Sequence, residues 1–341
     1  MTAAAFDLKD RKAEHIRLAL DEQMQLAASP FDEYRFEHEA LPEIDLAEVD
    51  TSVDFLGRRL SAPLLISCMT GGTESARRIN RNLAAAAEER GVAFGVGSQR
   101  KALEDPSTVP TFAVRDVAPT IPLLANLGAV QLNYGMGVEH CRGAVEMIGA
   151  DALVLHLNPL QEAIQPEGQC NFRGLLPKIG AVAAGVGVPV IAKEVGSGLS
   201  AETARRLSGA GVKILDTAGV GGTSWARIEG RRAGTLDLGE LFAGWGLTTP
   251  ESILAVREVP GVTVIASGGL RSGLDVAKAL ALGADLAGLA FPFLAAATQS
   301  AERVQLVIDR LVRELSICMF CLGVTTVAQL RGKTLRKGSV R

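Results

Sequence analysis

The order of apolar segments constrains the fold of this 341-residue chain more than any other feature. Short runs rich in β-branched residues alternate with Ala- and Leu-rich stretches of helical periodicity, which is typical of βαβ units around a parallel sheet. Eight such units fit a (β/α)8 TIM barrel of the α/β class better than an open sheet, because the glycine-rich turns follow the late strands rather than the first. The predicted strands are Leu64–Thr70, Val92–Gly97, Pro122–Leu127, Ala152–Leu157, Pro189–Val195, Val212–Thr217, Val262–Ser267 and Asp285–Ala290.

Two polar segments flank the predicted barrel. Residues 1–60 contain an amphipathic helix, about Leu8–Leu26, and a hairpin around Gly57, and we expect them to cap the barrel or reach a neighbouring subunit. Residues 61–330 make up the barrel, with a last helix near Ala295–Leu315, and residues 331–341 form a polar tail.

Several helix starts carry capping signals. Ser200 precedes an acidic first turn, Thr249-Pro250-Glu251 combines a cap residue with proline and an acid, and Ser272 opens a capping-box-like sequence that Gly283 closes. These signals predict helices after the fifth, sixth and seventh strands.

Composition narrows the class of protein. Thirty-five basic and 38 acidic residues give a net charge of −3, so no basic field favours nucleic acid and any anion needs a local cluster. The longest apolar run, Leu286–Ala297, is short for a membrane span and contains Pro292, and the N-terminus lacks the order of a signal peptide. We therefore predict a soluble cytoplasmic protein without nucleic-acid or membrane partners.

The five cysteines are odd in number and scattered, which indicates reduced thiols. Cys318 and Cys321 form a lone CxxC. Packing explains this pair better than metal binding, because no second pair completes a ligand set.

Barrel enzymes carry their function on the loops that follow the strands. Ser267-Gly-Gly-Leu-Arg271 opens a capped helix, so it favours a phosphate site over a simple tight turn. The same reasoning extends to Gly221-Gly222-Thr223.

Lys193 ends an apolar strand, where an unpaired ammonium would be costly. Three roles are compatible with this position. The ammonium could form a salt bridge with Glu194 or another acid at the barrel mouth, face negative charge that develops on a bound ring or enolate, or make a Schiff base. The residues alone leave these three alternatives open.

His156 and Asn158 share one face of the fourth strand, and Gln161 and Glu162 follow on its loop. A histidine at a strand end is often structural, but this cluster favours a site. Its single carboxylate suits Mg²⁺, which accepts one or two carboxylates together with phosphate and water. Trp225 lies in a glycine-rich loop, and its side chain either lines an active site or packs against other apolar residues. Arg11 and Lys12 by themselves indicate a solvated helix face.

Taken in order, the strand ends resemble the FMN-dependent, type 2 isopentenyl diphosphate isomerase family over nearly the whole chain. The motifs that carry this resemblance are Arg11-Lys12-x-x-His15, Met69-Thr-Gly-Gly72, Ser98-Gln-Arg100, Asn126-Leu-Gly128, His156-x-Asn158-x-x-Gln161-Glu162, Lys193-Glu-x-Gly196, Gly219-x-Gly-Gly-Thr-Ser-Trp225 and Ser267-Gly-Gly-x-Arg271. Cys68 departs from the Thr or Ser that we expect before Met69, which places flavin packing or redox sensitivity in question.

The resemblance implies roles for individual residues. Those that would contact FMN are Cys68, Met69, Thr70, Ser98, Asn126, Lys193, Thr223, Gly268, Gly269, Leu270, Arg271, Ala290 and Phe291, with Lys193 facing the N1/C2 edge of the ring. Those that would hold isopentenyl diphosphate are Arg11, Lys12, Ser98, Gln99, Arg100, His156, Asn158 and Gln161. Glu162 would hold Mg²⁺ and Trp225 would wall the hydrocarbon. His156 or Gln161 would move the second proton.

The implied reaction is a 1,3-proton shift in isoprenoid biosynthesis, from isopentenyl to dimethylallyl diphosphate, with reduced FMN as acid–base agent. NADPH or another reductant would prime the flavin. In this family the Arg–Lys pair is thought to reach an adjacent subunit, which implies a homo-oligomer, a tetramer or an octamer.

Three alternatives compete with this interpretation. An FMN-dependent oxidoreductase of the hydroxy-acid oxidase type would need a late catalytic histidine, and no histidine follows His156. A dehydrogenase of the inosine monophosphate kind would need a cysteine between Gly219 and Trp225, where none occurs. A silent flavin- or phosphate-binding protein would not need the metal carboxylate beside a cation cluster.

Overall fold

A computed structural model describes residues 8–26 and 28–338, and within them eight parallel strands close a barrel. Around the barrel the strands follow their order in the chain, and the last pairs with the first, so the predicted TIM barrel is confirmed. All eight predicted strands are present, most of them shorter than predicted. They are β1 Leu64–Ile66, β2 Ala93–Gly95, β3 Leu123–Gly128, β4 Ala152–Leu157, β5 Val190–Glu194, β6 Ile214–Asp216, β7 Thr263–Ser267 and β8 Leu286–Leu289.

Helices surround the barrel. They are α1 Leu8–Ala19, α2 Glu74–Arg90, α3 Arg100–Glu104, α4 Val138–Ile148, α5 Pro159–Ile164, α6 Leu175–Gly185, α7 Ala201–Gly209, α8 Trp225–Ala233, α9 Leu236–Leu241, α10 Thr249–Arg257, α11 Gly273–Ala281, α12 Phe291–Ala297, α13 Ala301–Phe320 and α14 Val327–Leu330. Short 3-10 turns occupy Glu22–Met24, Leu46–Glu48, Pro106–Thr111 and Ala129–Asn133. Across the described ranges no helix is both long and apolar enough to cross a membrane.

The register of the strands aligns the polar residues at the strand ends. His156 on β4 pairs with Lys193 on β5, and Lys193 pairs with Asp216 on β6. Asp216 in turn pairs with Ile265 on β7. Because the three residues are register partners on neighbouring parallel strands, their side chains lie on the same face of the sheet and next to one another.

The predicted hairpin closes the opposite end of the barrel. Val53–Phe55 pairs with Arg58–Leu60 across a two-residue turn in which Leu56 and Gly57 have φ of 50° and 73°. Two positive φ values are those of a type I′ turn, whose twist matches the strands. Phe55 and Leu60 pack on the inward side chains of the barrel strands, so they seal its N-terminal end.

Three helix boundaries differ from the prediction. The first helix ends at Ala19 and a separate 3-10 turn follows. The predicted terminal helix is two helices, because the Ser300 hydroxyl accepts the amide of Arg303 and starts α13 anew. The cap of α10 is Thr248 rather than Thr249, since the Glu251 carboxylate accepts the amide of Thr248. Ser200 and Ser272 cap α7 and α11 as predicted.

The C-terminal segment returns to the N-terminal one. Leu335–Lys337 pairs antiparallel with Tyr34–Phe36, and the Gly338 amide donates to the Glu33 carbonyl at 2.8 Å. The C-terminal segment and the N-terminal extension therefore meet in a small sheet outside the barrel. The division at residues 60 and 330 stays a prediction.

Candidate active site

A cavity of about 310 Å³ opens at the carboxyl ends of the strands. This is where a barrel presents its loops, as predicted. The predicted site residues in its wall are Lys12, Cys68, Met69, Thr70, Ser98, Arg100, Asn126, His156, Asn158, Gln161, Glu162, Lys193, Thr223, Trp225, Gly268, Gly269, Leu270, Arg271, Ala290 and Phe291. The side chain of Arg11 lies outside the described residues.

One side of the cavity, the glycine side, consists of Gly219, Gly222, Thr223, residues 268–271 and residues 290–291. Gly268 and Gly269 have φ of 102° and 78°. A Cβ on Gly268 would lie 2.1 Å from the Gly219 carbonyl oxygen, and one on Gly269 would lie 2.4 Å from that of Gly221. Backbone therefore packs on backbone, and α11 begins at Gly273 just beyond. Glycines let backbone amides approach a phosphate, so the turn fits one, whereas at the start of α11 the Gly273 amide already donates to the Glu314 carboxylate.

The N-terminal segment is fastened to the glycine side. The Thr223 hydroxyl lies 2.8 Å from Nε2 and 3.1 Å from Oε1 of Gln25. The Arg271 guanidinium donates to the carbonyl oxygens of Leu26 and, at 3.3 Å, of Gly221. Arg271 thus joins the segment after α1 to the glycine turn.

Lys193 has a partner that the sequence analysis left open. Its Nζ lies 3.2 Å from Oδ2 of Asp216 and 3.1 Å from the Ser267 hydroxyl, which donates to Asp216 at 2.5 Å. All three groups are buried. The predicted salt bridge is therefore made with another acid at the barrel mouth, Asp216, and not with Glu194, whose carboxylate accepts the amides of Val195 and Gly196 at 2.6 and 2.7 Å.

His156 is held in its neutral form. Burial, then the positive charges of Lys193 and Lys12, lower the pKa of His156 from 6.5 to about 4. Its Nδ1 lies 2.9 Å from Oδ1 of Asn126, so Nδ1 carries the proton and Nε2 is left as an acceptor. A Cβ on Gly128 would lie 3.0 Å from Nε2, so the missing side chain gives the ring its space.

Cys68 lies beside this pair as an unreactive thiol. Burial raises the pKa of the Cys68 thiol to about 11, although a hydrogen bond with Asn126 and the charge of Lys193 act to lower it. A protonated thiol is a poor nucleophile and resists oxidation. The raised pKa therefore argues against a reactive thiolate at this position.

Gln99 does not reach the cavity, contrary to its predicted substrate role. Its Nε2 donates to the Ala144 carbonyl at 2.8 Å and its Oε1 accepts the Asn126 amide at 3.0 Å. The side chain is completely buried. Both ends of the side-chain amide therefore bind the backbone of β3 and α4. The neighbours Ser98 and Arg100 face the cavity, and Gln99 points away from it because adjacent residues of a chain point in different directions.

The opposite side of the cavity, the cation–amide side, consists of Lys12, Ser98, Arg100, His156, Asn158, Gln161 and Glu162. The buried Glu162 carboxylate accepts from Nδ2 of Asn158 at 2.9 Å, Nε2 of Gln165 at 2.5 Å and the Gln169 amide at 2.6 Å. Oδ1 of Asn158 is buried without a hydrogen-bond partner in the described chain. These carboxylate and amide oxygens are ligands that Mg²⁺ prefers. No group of three or more His, Cys, Asp or Glu suited to a metal occurs among residues 8–26 and 28–338, so substrate and water would complete the set.

The cations of this side come from two elements. Lys12 on α1 donates to the Ser98 carbonyl at 3.0 Å and lies 5.3 Å from the Phe112 ring centre. Arg100 on α3 donates to Glu104 at 2.7 Å and to Gln169 Oε1 at 3.3 Å. Lys12 therefore reaches the cavity of its own chain. The inference of an oligomer from an adjacent subunit's Arg–Lys pair finds no support in this contact.

A polar network centred on Glu229 lies behind Trp225, and the sequence did not predict it. The Trp225 and His15 rings meet edge to face at 5.3 Å, and His15 Nε2 lies 3.0 Å from Oε1 of Glu229. Gln161 and Arg232 also donate to Glu229, at 2.8 and 2.5 Å. Burial acts to raise the pKa of Glu229, but these three partners outweigh it and lower that pKa. The i, i+3 spacing of Lys12 and His15, which places both on one face of α1, was the one sequence signal for this network. No sequence pattern marked Glu229.

These features agree with the comparisons to known proteins. Residues 7–111 and 175–337 match the FMN-dependent dehydrogenase family, which defines the class of this barrel. Solved structures of similar fold include a mandelate oxidase variant with an FMN monooxide adduct, at TM-score 0.63 and 20% identity over 95% of this chain and 92% of that one. Another is a mandelate oxidase with benzoyl-formic acid, at TM-score 0.64 and 21% identity over 96% and 91%. At such identities the likeness shows the fold alone.

Curated relatives narrow the class. The chain is 55% identical to an isopentenyl-diphosphate delta-isomerase of Synechococcus sp. over 96% of both chains, and 51% identical to one of Nostoc sp. over 97% and 96%. An isomerase of Rickettsia bellii is 49% identical over 98% and 99%. The chain belongs to the isopentenyl-diphosphate delta-isomerase family, in its FMN-dependent form.

Proposed function

We propose that the chain interconverts isopentenyl and dimethylallyl diphosphate by a 1,3-proton shift, with reduced FMN and Mg²⁺. The observation that carries this proposal is the division of one cavity between the glycine side and the cation–amide side. The glycine side suits the FMN phosphate, and the cation–amide side suits a metal-bound diphosphate. When bound, reduced FMN supplies the acid–base chemistry that side chains perform poorly at carbon.

The roles proposed for the chain's own groups follow from their contacts. The Lys193 ammonium, paired with Asp216, stabilises an anionic ring edge. Neutral His156 offers Nε2 as a proton acceptor, because its Nδ1 proton is used by Asn126. Gln161, held by Glu229, is the alternative group for the second proton. The proposed catalytic roles of these side chains and of Trp225 are supported by their position in the wall of one cavity.

Metal binding is proposed for Glu162 and the adjacent Asn158 oxygen. Three amide donors hold the carboxylate in place before a metal arrives, and the unpartnered Oδ1 of Asn158 lies beside it. A divalent cation here offsets the diphosphate charge that Lys12 and Arg100 also face. NADPH, or another reductant, is the proposed electron source for priming FMN.

Location and assembly are further parts of the proposal. The five cysteines form no disulfide in the described residues, which supports a reducing, cytoplasmic setting. Leu241 and Trp245 near α9 are 74% and 62% exposed, which supports an assembly that covers them. The proposed assembly is a homo-oligomer of four or eight chains. Light scattering of the eluted protein tests the number of chains.

The decisive experiment is an anaerobic assay of isopentenyl diphosphate with FMN, Mg²⁺ and NADPH. We expect conversion that is lost in the oxidised state and without Mg²⁺, without stoichiometric consumption of NADPH. Oxygen consumption with 2-hydroxy acids is the control for the oxidase alternative. FMN binding with no isomerisation would favour that alternative, and no flavin binding would contradict both.

A further inference from the structure

Lys101 is a buried cation that the proposed mechanism does not use. It is the second residue of α3, only 8% exposed, and it contributes to the wall of the cavity. Its Nζ is buried and has no hydrogen-bond partner among the described residues. An ammonium removed from water without a partner costs several kcal/mol, so such a position requires an explanation.

Another lysine of the same fold shows what a structural role looks like. Lys278 on α11 is 7% exposed, and its Nζ donates to the Phe31 carbonyl at 2.9 Å. That bond joins the N-terminal segment to the barrel and compensates the burial of the charge. Lys101 has the same degree of burial without such a bond, which indicates that its partner is a ligand.

The position of Lys101 identifies the chemistry of that ligand. A Cβ on Gly72 would lie 3.0 Å from Cδ of Lys101 and 3.7 Å from Cδ of Lys12, so the two lysine stems flank one glycine. Arg100, the preceding residue, also lines the cavity but already pairs with Glu104 at 2.7 Å. Three adjacent cations match a ligand of high negative charge.

We infer that Lys101 is a further substrate-binding residue, whose ammonium binds the diphosphate group. Rotation about the terminal side-chain torsions brings Nζ from its enclosed position to the cavity, where the anion replaces the missing partner. This inference rests on the proposed function for the identity of the substrate. That the ligand is an anion follows from the adjacent ammonium groups of Lys12 and Lys101, whatever the substrate.

The test compares Lys101→Met, Lys101→Arg and Lys278→Met in FMN-loaded protein. Calorimetric titration with pyrophosphate in the presence of Mg²⁺ reports anion binding apart from activity. A charge-assisted hydrogen bond predicts that Lys101→Met weakens pyrophosphate about 10- to 100-fold and raises the KM for isopentenyl diphosphate similarly, with kcat within about threefold. Lys101→Arg retains most of the affinity. Lys278→Met leaves the affinity unchanged but lowers Tm.

Stability gives a second readout. Because Lys101→Met removes an unpaired buried charge, the free protein keeps or raises its Tm, which a structural lysine would not allow. Pyrophosphate affinity within twofold of the unsubstituted protein would overturn the inference, and so would weakened FMN binding in place of weakened pyrophosphate binding. If the unsubstituted protein binds pyrophosphate through Lys101 but does not isomerise, the inference stands and the proposed function fails.

Discussion

The glycine side and the cation–amide side of the cavity are built by different means. On the glycine side the backbone is the functional surface, and Gly219, Gly221, Gly268 and Gly269 pack too closely for any side chain. On the cation–amide side the side chains are the functional surface: Lys12 donates to the Ser98 carbonyl, and Gln161 of α5 donates to Glu229 of α8. The first is held by close backbone packing and the second by side-chain hydrogen bonds, so substitutions should affect them differently.

The largest effect is expected on the glycine side. Gly268→Ala forces a side chain into positive φ and against the Gly219 carbonyl, so it should cost more than about 3 kcal/mol and abolish FMN binding. Flavin fluorescence titration measures the loss. Gly244→Ala is the matched control, since a Cβ there meets nothing within 4 Å. Normal FMN affinity in Gly268→Ala would remove the basis for treating the two sides as different.

The next effect lies at the boundary between the two sides. Asp216→Asn leaves the buried Lys193 ammonium without its counter-charge, so urea denaturation of the FMN-free protein should show a loss of about 3–5 kcal/mol. The double change Lys193→Met, Asp216→Leu removes both charges and should cost less than the single change. A single variant as stable as the unsubstituted protein would show that the pair is not coupled.

On the cation–amide side we expect a substitution to remove the dependence of activity on Mg²⁺ while FMN still binds. Glu162→Gln removes the carboxylate that three amides orient, so kcat/KM should fall about 100-fold and the response to Mg²⁺ should flatten. FMN affinity should stay within twofold, which is the opposite pattern to Gly268→Ala. Glu139→Gln, at an exposed residue of α4, controls for the loss of one charge. A Mg²⁺ response equal to that of the unsubstituted protein would exclude Glu162 as a ligand.

The smallest effect concerns pH. The pKa of His156, about 4 in the folded chain, lies below its ordinary value of 6.5. The unfolded chain therefore binds more protons between these values, and stability falls as pH falls from 6.5 to 4, by no more than about 3 kcal/mol. His156→Asn should show a shallower slope in urea denaturation across this range. The exposed His140→Asn should keep the original slope, and equal slopes in all three proteins would contradict the neutral state of His156.

The sequence predicted the glycine side better than the other. Turn glycines, caps such as Ser272, and short β-branched runs are local signals, and all eight strands were predicted from those runs. The direction of Gln99 could not be predicted, because its two partners lie on β3 and α4. Asp216 stood at a predicted strand end with no role until the register placed it beside Lys193. Glu229 and Lys101 have no local pattern, since their importance depends on elements far away in the chain.

The anchoring of the N-terminal segment has a consequence for biosynthesis. Residues 8–26 leave the ribosome before any of the partners that hold them, because Gln25 is 198 residues from Thr223 and Leu26 is 245 from Arg271. The Ser98 carbonyl that Lys12 contacts is made early, but His15 must stay exposed until Trp225 and Glu229 of α8 have been made. Contacts of such long sequence separation form slowly. The pocket is therefore finished last, by the part of the chain that was made first.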